Sequence, residues 1–219
     1  MRIFLLPTLA LLLFACSGNE TKPAPDTLAG PRRLPRFFFL DSLSPSGDST
    51  FLTVAPHKFL AHTGDTFRSE MLNDKVYVAD FFFANCQGIC PKMTKQLTRV
   101  QDQFRNNQKV MIVSYTVDPE RDHAEALAAY AKEFGVEKDK WLLLTGEKKE
   151  LYELARQSYK VTATEGDGGP DDFVHSELLV LVDPNKNIRG YYDGTDSVQV
   201  NALIDDIGLL LQEFKSAKK

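Results

Sequence analysis

Residues Val76 to Thr94 read VYVADFFFANCQGICPKMT. The first half, Val76 to Phe83, is apolar and rich in β-branched and aromatic residues, interrupted only by Asp80. That composition predicts a strand buried on both faces of a sheet. The second half opens a helix. Pro91 suits the first helical turn, where its missing N–H costs nothing. Met93, Leu97, Val100 and Phe104 then recur at helical spacing. Cys86 and Cys90 sit at the junction. A thiol at a helix N-terminus feels the positive end of the backbone dipole, which favours thiolate. The expectation is therefore two thiolates at the top of an interior strand.

Beyond the junction the α/β pattern is regular. Lys109 to Val117 reads as a second buried strand. Asp122 and Glu125 have the spacing of a capping box, with Asp122 as the N-cap of a helix ending at Gly135. Trp141 to Thr145 is a third strand and Glu147 to Ser158 a third helix. Thr162 to Asp172 is polar and Gly-rich, a loop expected to be mobile. Glu177 to Val182 and Ile188 to Tyr192 flank a DPNKN turn and predict a hairpin, followed by a helix over Ser197 to Phe214. Ahead of the organising strand, Phe37–Leu40 with Thr50–Val54, and His57–Ala61 with Thr66–Met71, predict N-terminal β-hairpin additions. Parallel strands joined by crossovers and closed by an antiparallel hairpin give a mixed α/β sheet flanked by helices. That order is the pattern of a thioredoxin-like domain.

The chain has 219 residues, with 26 Lys+Arg against 30 Asp+Glu, enough for one domain with a full core. The balance lacks the basic face that nucleic-acid binding needs. Met1 to Ala15 has a short basic start and an apolar run too short to span a bilayer, the dimensions of a signal peptide. The run ends in LFAC, which resembles the lipobox of bacterial lipoproteins and marks Cys16 as a lipidation site. Residues 16–36 are polar and Pro-rich, a tether of about 20 residues with an r.m.s. reach of roughly 25 Å. Residues 37–219 form the domain. This organisation predicts a lipid-anchored protein on the extracytoplasmic, periplasmic side of a bacterial envelope. In that oxidising compartment Cys86 and Cys90 tend toward a disulfide unless a thiol reductant or a metal holds them.

The C-x-x-x-C spacing supports two chemistries. Helical residues four apart have Cβ atoms about 5–6 Å apart, whereas a disulfide needs about 3.8 Å. A small adjustment near Gly88 closes that gap. The same separation lets two sulfurs meet one metal at bonds of about 2.3 Å. A permanent staple across so short a loop gains little chain entropy, and inert burial suits a helix N-terminus poorly. Among His57, His62, His123 and His175, the last follows the Gly-rich loop and precedes a strand, near loops that carry sites, although a lone His there is usually just a polar loop residue. His62 reads as a turn residue and His123 as a first-turn helix residue.

The runs FFFANCQGICPKM, TVDPERD (Thr116 to Asp122) and VHSELLVLVDPNKNIRGYYDG (Val174 to Gly194) together resemble the Sco/SenC family of copper-binding assembly proteins. The resemblance covers most of the chain after about residue 57. It implies a thioredoxin-like fold and copper ligands at Cys86, Cys90 and His175. It also implies an acidic position near the metal at Asp118, which reads equally well as a turn residue beside Pro119. The implied task is delivery of copper to the binuclear site of cytochrome c oxidase subunit II, or reduction of that site's cysteines. Two thiolates and an imidazole favour copper, Cu(I) above all. A structural zinc site wants four protein ligands, and three stand out here. The sequence departs from the family in its EGDGGPDD insertion before His175 and in having a lipobox where a spanning helix would serve as anchor.

Two functions follow. A metallochaperone needs Cys86, Cys90 and His175. A thiol–disulfide oxidoreductase needs only the cysteines, cycling between a disulfide and two thiols. A peroxidase resembling peroxiredoxins fits less well, because it needs one activated cysteine in a protected pocket. An inert interaction module leaves the Cys-Cys-His set unexplained.

Overall fold

The computed structural model describes residues 34–36, 38–40, 49–161 and 176–216. The lipobox, Cys16, the Gly-rich loop and His175 lie outside them. A small antiparallel pair, β1 (Phe38–Leu40) and β2 (Ser49–Phe51), stands apart from the main sheet. The main sheet takes in β3 (Lys58–Ala61), β4 (Thr66–Arg68), β5 (Val76–Phe82), β6 (Val110–Thr116), β7 (Trp141–Thr145), β8 (Leu178–Val182) and β9 (Ile188–Asp193). Its order is β4-β3-β7-β6-β5-β8-β9. β5, β6 and β7 pair in parallel; β3–β4, β3–β7, β5–β8 and β8–β9 are antiparallel.

Alternation along β5 divides the core. Val76, Val78 and Phe82 pack beneath α1 (Cys90–Gln103), α2 (Ala124–Phe134) and α4 (Ser197–Ser216). Tyr77, Ala79 and Phe81 face the other way, against α3 (Lys148–Glu153), the π-helical turn Leu154–Ser158 that extends it, and the N-terminal strands. All seven β5 residues are buried, as a doubly covered strand requires. The mixed sheet with helices on both faces is thus the expected fold. The helix expected over Glu147 to Ser158 widens to π geometry in its last turn.

Two local expectations need correction. The N-cap of α2 is His123, whose Nδ1 accepts from the Ala126 N–H at 3.3 Å. Asp122 is drawn away by tertiary partners described below. His62 is more than a turn residue: its Nδ1 accepts the Leu143 N–H at 3.1 Å and joins the β3 end to β7. At the other end of α2, Gly135 takes φ 67°, the left-handed cap expected there.

Arg189 of β9 ties the start of the folded unit to its end. Its guanidinium donates to the carbonyls of Leu34 and Pro35, at 2.9 and 3.0 Å, and pairs with Asp183 and Glu213. Leu34 and Pro35, which fall in the tether by composition, are therefore held by the domain.

Candidate functional site: a dithiol at the β5–α1 junction

β5 delivers the chain to the C-terminal edge of the parallel strands, and α1 begins at Cys90 with Ile89 as N-cap and Pro91 in its first turn. Between them the backbone turns, the Cys86 N–H donating to the Phe83 carbonyl at 3.3 Å. Cys86 and Cys90 are both buried free thiols, 7% and 3% exposed. The two thiols are near enough to shift each other's ionisation.

Their electrostatics differ. Burial pushes the Cys86 thiol up. The hydrogen bonds from the Cys90 thiol and from the backbone N–H groups of Cys90, Gly88 and Ile89 outweigh it, leaving its pKa below the ordinary value. Cys90 is pushed up to about 12, chiefly by burial, against a hydrogen bond from the Phe83 backbone. The helix terminus therefore does not activate both thiols. Amide groups converge on Cys86, four residues ahead of the first helical residue, while Cys90 is deep enough for desolvation to win. Cys86 is thus the more acidic thiol and Cys90 the one that holds its proton.

The pair is braced from below. Thr94 donates to the Cys90 carbonyl at 2.8 Å and bonds the Tyr130 hydroxyl at 2.6 Å. Asp80, on the cysteine side of β5, accepts from Ser114, whose Oγ accepts the Trp141 indole N–H at 2.8 Å. Asp122 Oδ2 accepts the Ala84 N–H at 2.9 Å and the Thr116 hydroxyl at 2.6 Å, pinning the entrance of the cysteine loop. Asp122 Oδ1 is buried with no hydrogen-bond partner among the described residues. Burial raises this carboxyl's pKa, opposed by Thr116 and Ala84.

Asp118 heads the turn before α2. Its N–H donates to Thr116 Oγ1 at 3.0 Å, its carboxylate pairs with Arg121, and its carbonyl accepts from Arg121 and Asp122. It shares Thr116 with Asp122 and so belongs to the network under the loop. Among the described residues no cluster of three or more His, Cys, Asp or Glu side chains is placed to hold a metal ion. The described part of the site offers two adjacent sulfurs, a donor pair that fits a soft ion. Asp80, Tyr130 and the anchoring role of Asp122 were not assigned from sequence. The only signal for Asp80 was a charged residue inside an apolar strand.

The thiol asymmetry has a direct check. Alkylation of the reduced, metal-free protein should modify Cys86 first, with a half-point below the ordinary thiol value. In Cys86→Ser, Cys90 should stay unmodified at neutral pH, because burial is the main cause of its shift. Equal reactivity of the two thiols counts against this picture.

A mixed sheet carrying a dithiol where an interior strand meets the following helix defines a thioredoxin-like dithiol protein. The family model described as SCO1/SenC matches residues 46–211. The SCO1 protein homolog of Bacillus subtilis (strain 168) is 33% identical over 156 residues, which cover 70% of this chain and 80% of that protein. The chain belongs to the SCO1/SenC family. Among solved structures, a SCO1/SenC family lipoprotein from Bacillus anthracis str. Ames superposes with a TM-score of 0.67 at 28% identity, over 73% of this chain and 95% of that one. BsSco, described as having a disulfide switch and as a member of the Sco family of cytochrome c oxidase assembly proteins, gives 0.63 at 31% identity, over 72% and 92%. Arabidopsis thaliana ScoI with copper bound gives 0.59 at 28% identity, over 74% and 99%.

Proposed function

We propose that this protein is a membrane-tethered copper chaperone. It binds copper, as Cu(I) or Cu(II), through Cys86, Cys90 and His175 and serves assembly of the binuclear copper site of cytochrome c oxidase subunit II. The observation that carries this reading is the pair of buried free thiols at the β5–α1 junction. Copper-bound and oxidase-assembly relatives of the same fold support it. Copper is the cargo. Its arrival displaces the proton that Cys90 holds and turns both sulfurs into ligands. His175 supplies the third donor, and Asp118 is the acidic residue near the metal in this reading. Release to a partner proceeds by ligand exchange. Cys16 carries the lipid, residues 1–15 are the cleaved leader, and residues 16–36, gripped by Arg189 at Leu34 and Pro35, are the tether that keeps domain 37–219 at the periplasmic membrane surface. Among the described residues no helix is long and apolar enough to cross a membrane.

A second reading draws on the thiol asymmetry. As a thiol–disulfide oxidoreductase, the Cys86 thiolate attacks a partner disulfide sulfur and releases a partner thiolate. Cys90 then resolves the mixed disulfide, leaving the Cys86–Cys90 disulfide and a reduced partner. A thiol reductant resets the pair.

Anaerobic copper titration of the reduced protein separates the two. The chaperone reading expects stoichiometric binding that is lost in Cys86→Ser and Cys90→Ser and sharply weakened in His175→Ala. Retention of full binding in His175→Ala removes that ligand and leaves the dithiol exchange reading.

A further inference from the structure

The sheet face turned away from the cysteine pair carries a line of phenols that neither copper transfer nor thiol exchange uses. Tyr77 on β5, Tyr115 on β6 and Tyr159 after the π-helical turn are all fully buried. Their hydroxyls are linked: Tyr77 to Tyr159 at 3.4 Å, and Tyr159 to Tyr115 at 3.1 Å. The line ends on His57, whose Nε2 lies 2.7 Å from the Tyr115 hydroxyl. His57 Nδ1 is 2.8 Å from the Ala55 carbonyl oxygen. A carbonyl only accepts, so Nδ1 carries a proton. In the neutral ring Nε2 is then the acceptor and Tyr115 the donor.

The surroundings keep the ring neutral. Burial lowers the His57 pKa and the Lys186 charge adds to this, against the Ala55 carbonyl and Glu70. Burial likewise raises all three phenols well above the ordinary range. Phe81 stacks on Tyr115 at 5.2 Å and meets Tyr159 edge-on at 5.5 Å, while Tyr115 and Tyr159 lie 5.7 Å apart. A phenol in this setting does not release a proton alone. It is paired with a free base along a short hydrogen bond, and further hydroxyls stand behind it.

We infer that Tyr115 and His57 form a proton-coupled redox pair that takes up single oxidising equivalents within the domain. Tyr115 gives one electron to a strong one-electron oxidant, the class to which thiyl and peroxide-derived radicals belong. Its O–H proton passes to His57 Nε2 along the existing hydrogen bond. One O–H bond breaks and one N–H bond forms. The products are a neutral phenoxyl radical, an imidazolium and the reduced oxidant. A thiol or other one-electron reductant returns the electron, and the proton moves back. The imidazolium forms against burial and the Lys186 charge, with the Ala55 carbonyl and Glu70 favouring it, and His57 borders an open cleft of about 550 Å³. The Tyr159 hydroxyl lies 3.1 Å from the Tyr115 oxygen. β5 and β6 carry Tyr77 and Tyr115 on the face turned away from the thiol pair.

The test is flash photolysis of the reduced, metal-free full chain with a ruthenium(III) polypyridyl oxidant, read by the tyrosyl electron paramagnetic resonance signal. The parent should give a tyrosyl radical whose formation slows in deuterated water. Tyr115→Phe, which keeps the ring packing, should lose most of the signal. His57→Gln keeps an acceptor on Tyr115 without a base, and should lower the yield several-fold and abolish the isotope effect. An undiminished signal in Tyr115→Phe places the radical on another of the seven tyrosines and overturns the proposal. Equal yields in the parent and His57→Gln do the same. The isotope effect in the parent requires no variant, and its absence also overturns the pairing.

Discussion

Arg189→Met should lower the unfolding free energy by about 3–5 kcal/mol, toward the lower end of that range. Arg189 is one of the least exposed side chains in the protein, at 1%, and its partner Asp183 is at 0%. Methionine fills a similar volume but leaves the Asp183 charge without its cation, and the Leu34 and Pro35 carbonyls without donors. A buried charge stripped of its partner is costly because it stays desolvated with nothing to offset it. The lower end is expected because Asp183 keeps the Asn185 and Asn187 N–H groups and the Asn187 amide. Urea unfolding gives the free energy, and a melting shift of roughly 6–12 °C should accompany a loss of about 3 kcal/mol in a domain of this size. Adding Asp183→Asn should recover part of the loss, since the two sites are coupled. A change below about 1 kcal/mol in the single variant means that the clasp is not a stabilising unit.

Asp80→Asn should act in the opposite direction, and only at higher pH. Burial raises the Asp80 carboxyl to about 7, against the hydrogen bond from Ser114. The unfolded chain titrates near 3.9. Between those values the folded state binds the extra proton, so stability falls as pH rises from about 4 to about 7 and is flat on either side. The window spans about three pH units, or roughly 4 kcal/mol as an upper figure. Asparagine keeps an acceptor for Ser114 and has no charge to bury. The variant should gain a few kcal/mol over the parent at about pH 8 and match it near pH 4. Other groups tilt both proteins: Asp122 in the same sense as Asp80, His57 and His62 in the opposite one. The difference between variant and parent, measured by urea unfolding of the reduced, metal-free protein, isolates Asp80. A pH-independent difference removes Asp80 as the titrating group.

Much of the scaffold was legible because it rests on short-range periodicity. β5 reads as an unbroken apolar run, α1 as apolar residues at helical spacing after a proline, and the β8–β9 hairpin as a turn-forming DPNKN between apolar strands. The position of both cysteines followed from that register. What stayed hidden depends on contacts across the chain. Asp122 and Glu125 have the spacing of a cap, yet the Asp122 carboxylate goes to an amide 38 residues earlier in sequence. No local pattern carries that preference. The dipole argument treated two thiols alike, while depth separates them. Tyr77 and Tyr115 lie in the apolar strand runs and Tyr159 just past the third helix, with no local pattern linking them. Only the fold brings their hydroxyls together.

The Asp122 carboxylate has a mechanical consequence. By gripping Ala84 and Thr116 at once, it yokes the turn before α2 to the loop that carries the sulfurs. The two segments are therefore joined by one carboxylate, and neither can shift without straining its bonds to the other. The rest position of the thiol loop is thus set in part by a residue 38 positions further along the chain.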